Sequence, residues 1–185
     1  MIARINPRSR RDRYGSRINR DHLPLLANSV PWASILVASV IPVFPLVSGV
    51  PLWPPLGFLL LLAWRFVRPG LLPVWAGFPL GLWDDLFSGQ PFGSAILMWS
   101  LTMIAIDYIE ARFPWRGFLQ DWMTAVLATG LYLALAALLS GGSFGYERVL
   151  LVGPQFLLSI LIFPVVGWLV AILDRLRLLR IRVIG

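Results

Sequence analysis

Six apolar stretches, at residues 30–47, 52–67, 71–87, 94–109, 122–139 and 150–173, dominate the chain and leave only short connections between them. Stretches of this length lie near the lower limit of about 17 residues for a helix that crosses a bilayer. Lipid offers the backbone no hydrogen bonds, so each stretch must be helical or shielded by its neighbours. None alternates with the period of a strand, which argues against a barrel. Composition agrees: 58% of the 185 residues are hydrophobic and 14% are charged, a balance outside the range of soluble domains. The sequence therefore predicts an all-α polytopic membrane protein, a compact bundle of six short transmembrane helices within residues 27–174. An Arg-rich tail, 1–26, expected to be disordered, precedes it, and a basic segment, 175–185, follows. No small-residue cleavage site follows Val47, so the first stretch reads as an uncleaved anchor.

All sixteen basic side chains are Arg, and their placement sets an orientation. Seven lie in the N-terminal tail. Arg65 and Arg68 lie at the end of the second stretch, Arg112 and Arg116 follow the fourth, and Arg175, Arg177, Arg180 and Arg182 follow the sixth. With the N-terminus inside, fifteen of the sixteen fall on the cytoplasmic side and only Arg148 falls outside. This bias orients multi-pass proteins and predicts both termini in the cytoplasm. The net charge of +7 is then a matter of topology and anionic lipid, and no nucleic-acid partner is expected. The four C-terminal Arg alternate with Leu176, Leu178, Leu179 and Ile181, a pattern suited to anionic headgroups or a cytoplasmic partner.

Within the third stretch the chain reads GFPLGLWDDLFSGQPFG. Gly77, Gly81, Asp85, Gly89 and Gly93 recur every four residues. On a continuous helix Gly77, Gly81, Asp85 and Gly89 would share one face, a ridge of bare backbone with one carboxylate in it. Such a ridge lets a neighbouring helix approach closely and turns the carboxylate away from lipid. Counted from Leu71, Asp85 lies about 21 Å along the helix, past the membrane midplane. Arg65 and Arg68, at the inner end, are too distant to pair with it. Two roles are open for Asp85: a bond to the fourth span or a cap on the backbone where the third span breaks, and direct contact with another protein or a ligand. Asp84 is offset toward another face. Pro79 is expected to kink the span.

Enzyme chemistry finds little support. Asp84 and Asp85 are adjacent on one helix and diverge by about 100°, whereas an aspartyl dyad needs carboxylates that face each other across a site. His22, the only histidine, lies in the tail. There are no cysteines, so thiolate and histidine metal sites have no candidates in the bundle. No enzyme activity, metal or cofactor is expected.

The segment GLWDDLFSGQPFG, with Gly81, Asp85, Gly89, Pro91 and Gly93, resembles the central motif of the rod shape-determining protein MreD family: a Gly, then an Asp, a Gly and a Gly at successive intervals of four. The preceding span carries an aromatic before a proline-ended turn, Trp64 to Pro69, and the size, the six short spans and the inward termini agree. The resemblance covers about residues 32–175; Asp84 and the Arg-rich tail depart from it. It implies a scaffold in the bacterial cell inner membrane, part of the rod complex or elongasome. The implied partner is MreC and, through it, the actin-like MreB, the polymerase RodA and its partner transpeptidase. In size and span count the chain is also similar to the substrate-binding subunits of energy-coupling-factor vitamin transporters. That similarity supplies the alternative, a small-molecule-binding membrane subunit, although the outer loops SGVPLWPP, SGQPFG and SGGSFGYER hold few polar ligands.

The Arg distribution generates a direct test. Topology reporters fused after Gly142 should report the outer side and fusions at Gly185 the cytoplasm; the reverse pattern would refute the six-span orientation.

Overall fold

The computed structural model describes residues 10–11, 17–18, 24–43, 53–112, 117–141 and 146–177. Six α-helices carry the fold: α1 Pro24–Val40, α2 Leu56–Val67, α3 Gly77–Phe87, α4 Ser94–Arg112, α5 Phe118–Leu139 and α6 Tyr146–Arg177. Short 3-10 turns, Ile41–Val43 and Val74–Ala76, follow α1 and lead into α3. In the N-terminal segment two-residue strands, β1 (Arg10–Arg11) and β2 (Arg17–Ile18), pair antiparallel. Among the described residues three helices are long and apolar enough to cross a membrane: α4, α5 and α6 over Val152–Arg177. α1 and α2 are shorter apolar helices.

The third apolar stretch departs from its expected form. It is helical only from Gly77, because Pro73 precedes the 3-10 turn and Pro79 follows it closely. Pro79 therefore stands in the first turn of α3 rather than kinking a longer span. An amide in the first turn has no acceptor within its own helix, so a proline there costs little. Pro154 and Pro164, by contrast, lie inside α6.

α2 forms the centre of the bundle. Every residue from Gly57 to Arg65 is buried, which explains why its sequence, LGFLLLLAWRFV, shows no polar face. At 12 residues it is only about 18 Å long. α1, α5 and α6 pack directly on it. α4 reaches it through the Phe58–Trp99 ring contact, 5.8 Å between centroids, and through ion pairs to Arg65. α3 lies outside, between α4 and α1. Phe58 also stacks on Tyr132 of α5 at 4.8 Å, so an aromatic layer joins α2, α4 and α5.

Side-chain bonds fix the helix directions. Arg65 near the end of α2 bonds Asp107 (2.6 Å) and Glu110 (2.8 Å) near the end of α4. Asp174 near the end of α6 holds Arg68 (2.8 Å), just past α2, and Arg177 (2.7 Å). The even-numbered helices thus finish at one end of the bundle. At the other end the Gln155 amide of α6 donates to the Trp53 carbonyl ahead of α2 at 2.7 Å, and α3 and α5 finish there, as the contacts of Asp85 and Tyr132 below require. The helices run up and down in alternation.

Arg65 is 3% exposed, whereas Asp107 is 56% exposed and Glu110 17%. Asp107 and Glu110 thus answer a buried Arg from another helix and not Arg112 of their own. The Leu72 carbonyl accepts a third bond from the guanidinium at 3.3 Å. Removing one member of a buried pair strands the other's charge. Arg65→Ala should lower stability by about 3 kcal/mol, the low end for such a loss because Asp107 is half exposed. Arg112→Ala, at an exposed site, should change it by less than about 0.5 kcal/mol. Unfolding of both variants in mild detergent checks the difference; equal midpoints would refute it.

Candidate functional site

The Gly-spaced motif builds an antiparallel hairpin from α3 and α4. A methyl group added at Gly77 would lie 2.8 Å from the Trp99 carbonyl oxygen, and one at Gly81 would lie 2.8 Å from the Ala95 carbonyl oxygen and from Ile96 Cα. The obstructing atoms are backbone, so no rotamer change relieves them. Two glycines one turn apart therefore allow backbone-to-backbone contact over two turns of α4.

The ridge ends sooner than the spacing implies. α3 stops at Phe87 with Ser88 as its C-cap, and the Ser88 amide bonds the Asp84 carbonyl at 2.8 Å. Gly89 lies beyond the helix with φ +67°, and Gly93 has φ +95°. Both occupy the left-handed region, where a side chain is strained. Gly89 is thus a turn residue and not part of the helix contact. One four-residue spacing serves two purposes: close packing at Gly77 and Gly81, and backbone reversal at Gly89 and Gly93.

Asp85 joins the two halves of the motif. Its Oδ2 accepts hydrogen bonds from the Gly93 (3.0 Å) and Ile96 (3.1 Å) amides, and its Oδ1 from the Ala95 amide (2.9 Å) and, weakly, the Ser94 hydroxyl (3.4 Å). The first amides of any helix lack intrahelical acceptors. Gly93, immediately before α4, has no side chain to cap them. Asp85 supplies the missing acceptor from eight residues upstream, and its charge faces the positive end of the α4 dipole. The carboxylate is 6% exposed, and its contacts within the chain are those of a structural cap.

Asp84, also 6% exposed, points elsewhere. Its Oδ2 accepts from the Tyr132 hydroxyl of α5 at 3.3 Å. Ser39 of α1 approaches the carboxylate and Trp99 Nε1 approaches the Tyr132 hydroxyl, though neither closes a well-formed hydrogen bond. Gly57 of α2 leaves the room for this cluster: a methyl there would clash with Ser39 Oγ and lie 3.2 Å from Asp84 Oδ1. The cluster around Asp84 thus draws on four other helices. Sequence reasoning missed Ser39, Gly57, Trp99 and Tyr132 as its neighbours. The available signals were slight: the only glycine in α2 and a tyrosine in an otherwise apolar run of α5.

The C-terminal arginines separate. Arg175 is exposed. Arg177 turns inward: its side chain is 7% exposed, it pairs with Asp174, and its guanidinium sits 5.8 Å from the centre of the Trp64 ring. Arg180 and Arg182 lie outside the described residues. Among the described residues no group of three His, Cys, Asp or Glu side chains is placed to hold a metal ion.

Loss of the cap should be graded. Asp85→Ala strands the amides of Gly93, Ala95 and Ile96 and should cost at least the roughly 1–2 kcal/mol of a lost N-cap, read as a lower unfolding midpoint with membrane insertion retained. Asp85→Asn keeps one acceptor oxygen and should cost less. Asp85→Ala with an unchanged midpoint would refute the capping role.

Comparison with known proteins adds no relative: no protein-family model, curated protein or solved structure matches the chain at a significant level.

Proposed function

We propose that this protein is a non-enzymatic scaffold of the bacterial inner membrane, a component of the rod complex that binds MreC and, through it, links MreB, RodA and its partner transpeptidase. The observation that carries the reading is the Gly81, Asp85, Gly89, Gly93 motif. Every position in it has a separate physical duty in the α3–α4 hairpin, so the pattern is more than a small-residue spacing. In this reading all six helices lie in the membrane and both termini are cytoplasmic. Two features support it. α2, too short to match a bilayer of about 30 Å by itself, is enclosed by other helices, and shielded backbone is tolerated at membrane depth. The helix ends that gather Arg65, Arg68, Arg112, Arg175 and Arg177 form one end of the bundle, the arrangement a cytoplasmic face requires. There Arg175, with Arg180 and Arg182, meets anionic lipid or a cytoplasmic partner; each Arg near such a surface contributes about 1 kcal/mol. Arg177 is left to hold the bundle together.

Affinity purification of the full chain from mild detergent tests the proposal. Recovery of MreC and other rod-complex proteins is the expected outcome. Recovery of an ATPase pair with a coupling subunit would replace the scaffold with the energy-coupling-factor alternative.

A further inference from the structure

The two adjacent carboxylates of α3 are equally buried and oppositely served. Asp85 accepts from three backbone amides, which can only donate, so both of its oxygens are engaged as acceptors. Asp84 faces hydroxyl groups. The Tyr132 hydroxyl donates to its Oδ2 at 3.3 Å, and Ser39 Oγ, in a residue only 3% exposed, approaches it without a hydrogen-bond partner of its own. Ser39 Oγ and Asp84 Oδ1 both border the space that Gly57 leaves open. A hydroxyl donates to a carboxylate and equally accepts from a carboxylic acid. The neighbours of Asp84 therefore satisfy either protonation state without rearranging the helices.

Among the described residues no cation is placed against Asp84. Among the described residues, Ser39 from α1, Gly57 from α2 and Tyr132 from α5 face Asp84, with Asp85 beside it on α3 and Trp99 from α4 behind the Tyr132 hydroxyl. Tyr132 and Asp85 are the titratable members, and Asp85 is committed to the α4 amides. Arg65, the buried cation, is engaged at the opposite end of the bundle. An ionisable side chain held in this way within apolar helices is a recurrent feature of sites that exchange a proton.

We infer that Asp84, together with Ser39 and Tyr132, forms a proton-binding site. The carboxylate takes one proton from water and becomes an acid that donates to a neighbouring hydroxyl oxygen. On release the proton returns to water, and the same hydroxyls donate to the carboxylate. No electron moves and no co-reactant is needed. The site stands apart from the rod-complex reading, since it rests on the contacts of Asp84 alone.

Infrared difference spectroscopy of the full chain in lipid nanodiscs, titrated across the pH range in which it stays folded, tests this. A carboxylic C=O stretch that grows on acidification should be lost in Asp84→Asn and kept in Asp85→Asn. In Tyr132→Phe and in Ser39→Ala it should move to higher wavenumber, because the acid loses an acceptor. These two variants also read the site if Asp84→Asn does not fold. A carboxylic band absent at every pH, one that survives Asp84→Asn, or one that neither hydroxyl deletion moves would overturn the inference.

Discussion

The capping of α4 by Asp85 is the interaction on which the hairpin depends. A helix that starts amid apolar side chains exposes amides with no water to receive them, and a buried unpaired amide costs about 1–3 kcal/mol. Gly93 is required before α4 because the chain must reverse at positive φ, yet a glycine cannot cap. The acceptor must come from outside, and Asp85 in the last turn of α3 reaches the amides of Gly93, Ala95 and Ile96. The bond fixes how far α3 overlaps α4. With that overlap set, Gly77 falls opposite Trp99 and Gly81 opposite Ala95. The small residues permit the contact, and the carboxylate gives it a register.

The two ends of the bundle solve buried charge in different ways. At one end carboxylates are held by amides and hydroxyls. At the other, guanidinium groups are held by carboxylates from α4 and α6. α2 touches both, with Gly57 admitting the Asp84 cluster and Arg65 anchoring the ion pairs about 12 Å further along the helix. An ion pair of this kind adds little net stability over an apolar replacement, but losing one partner is costly. The Arg65 network therefore specifies which helix ends meet. Trp64 extends it: its indole donates to Ser34 of α1 at 2.9 Å while Arg177 of α6 lies over its ring. α1, α2 and α6 are tied together there by directional contacts within a general apolar core.

A bundle so constrained presents its surface in one arrangement. Large apolar side chains on α3, including Phe78, Leu86 and the Trp83–Phe87 ring pair, remain exposed. In a membrane these are open to lipid or to another helix. The α3–α4 hairpin thus places Gly77, Gly81 and Asp85 inside, where they govern packing, and an aromatic face outside.

Hydropathy determined much by itself. The six apolar stretches correspond to six helices, because apolar runs of this length have no other way to satisfy their backbone in lipid. The clustering of Arg65, Arg68, Arg112, Arg175 and Arg177 at one end was legible in their spacing, since each lies at or just past the end of an even-numbered stretch. The glycine spacing marked α3 as a contact helix. The limit came where one pattern served two conformations: nothing local distinguishes Gly81, which packs in a helix, from Gly89, which turns the chain at φ +67°. The division of roles between Asp84 and Asp85 was likewise decided only by tertiary structure. Adjacent residues on a helix point about 100° apart, and what each meets depends on helices far away in sequence. Asp85 finds the bare amides of α4, and Asp84 finds Tyr132, 48 residues on. The same holds for Arg65: its charge was visible in the sequence, but its burial follows from α2 standing at the centre, where only a carboxylate from another helix can answer it.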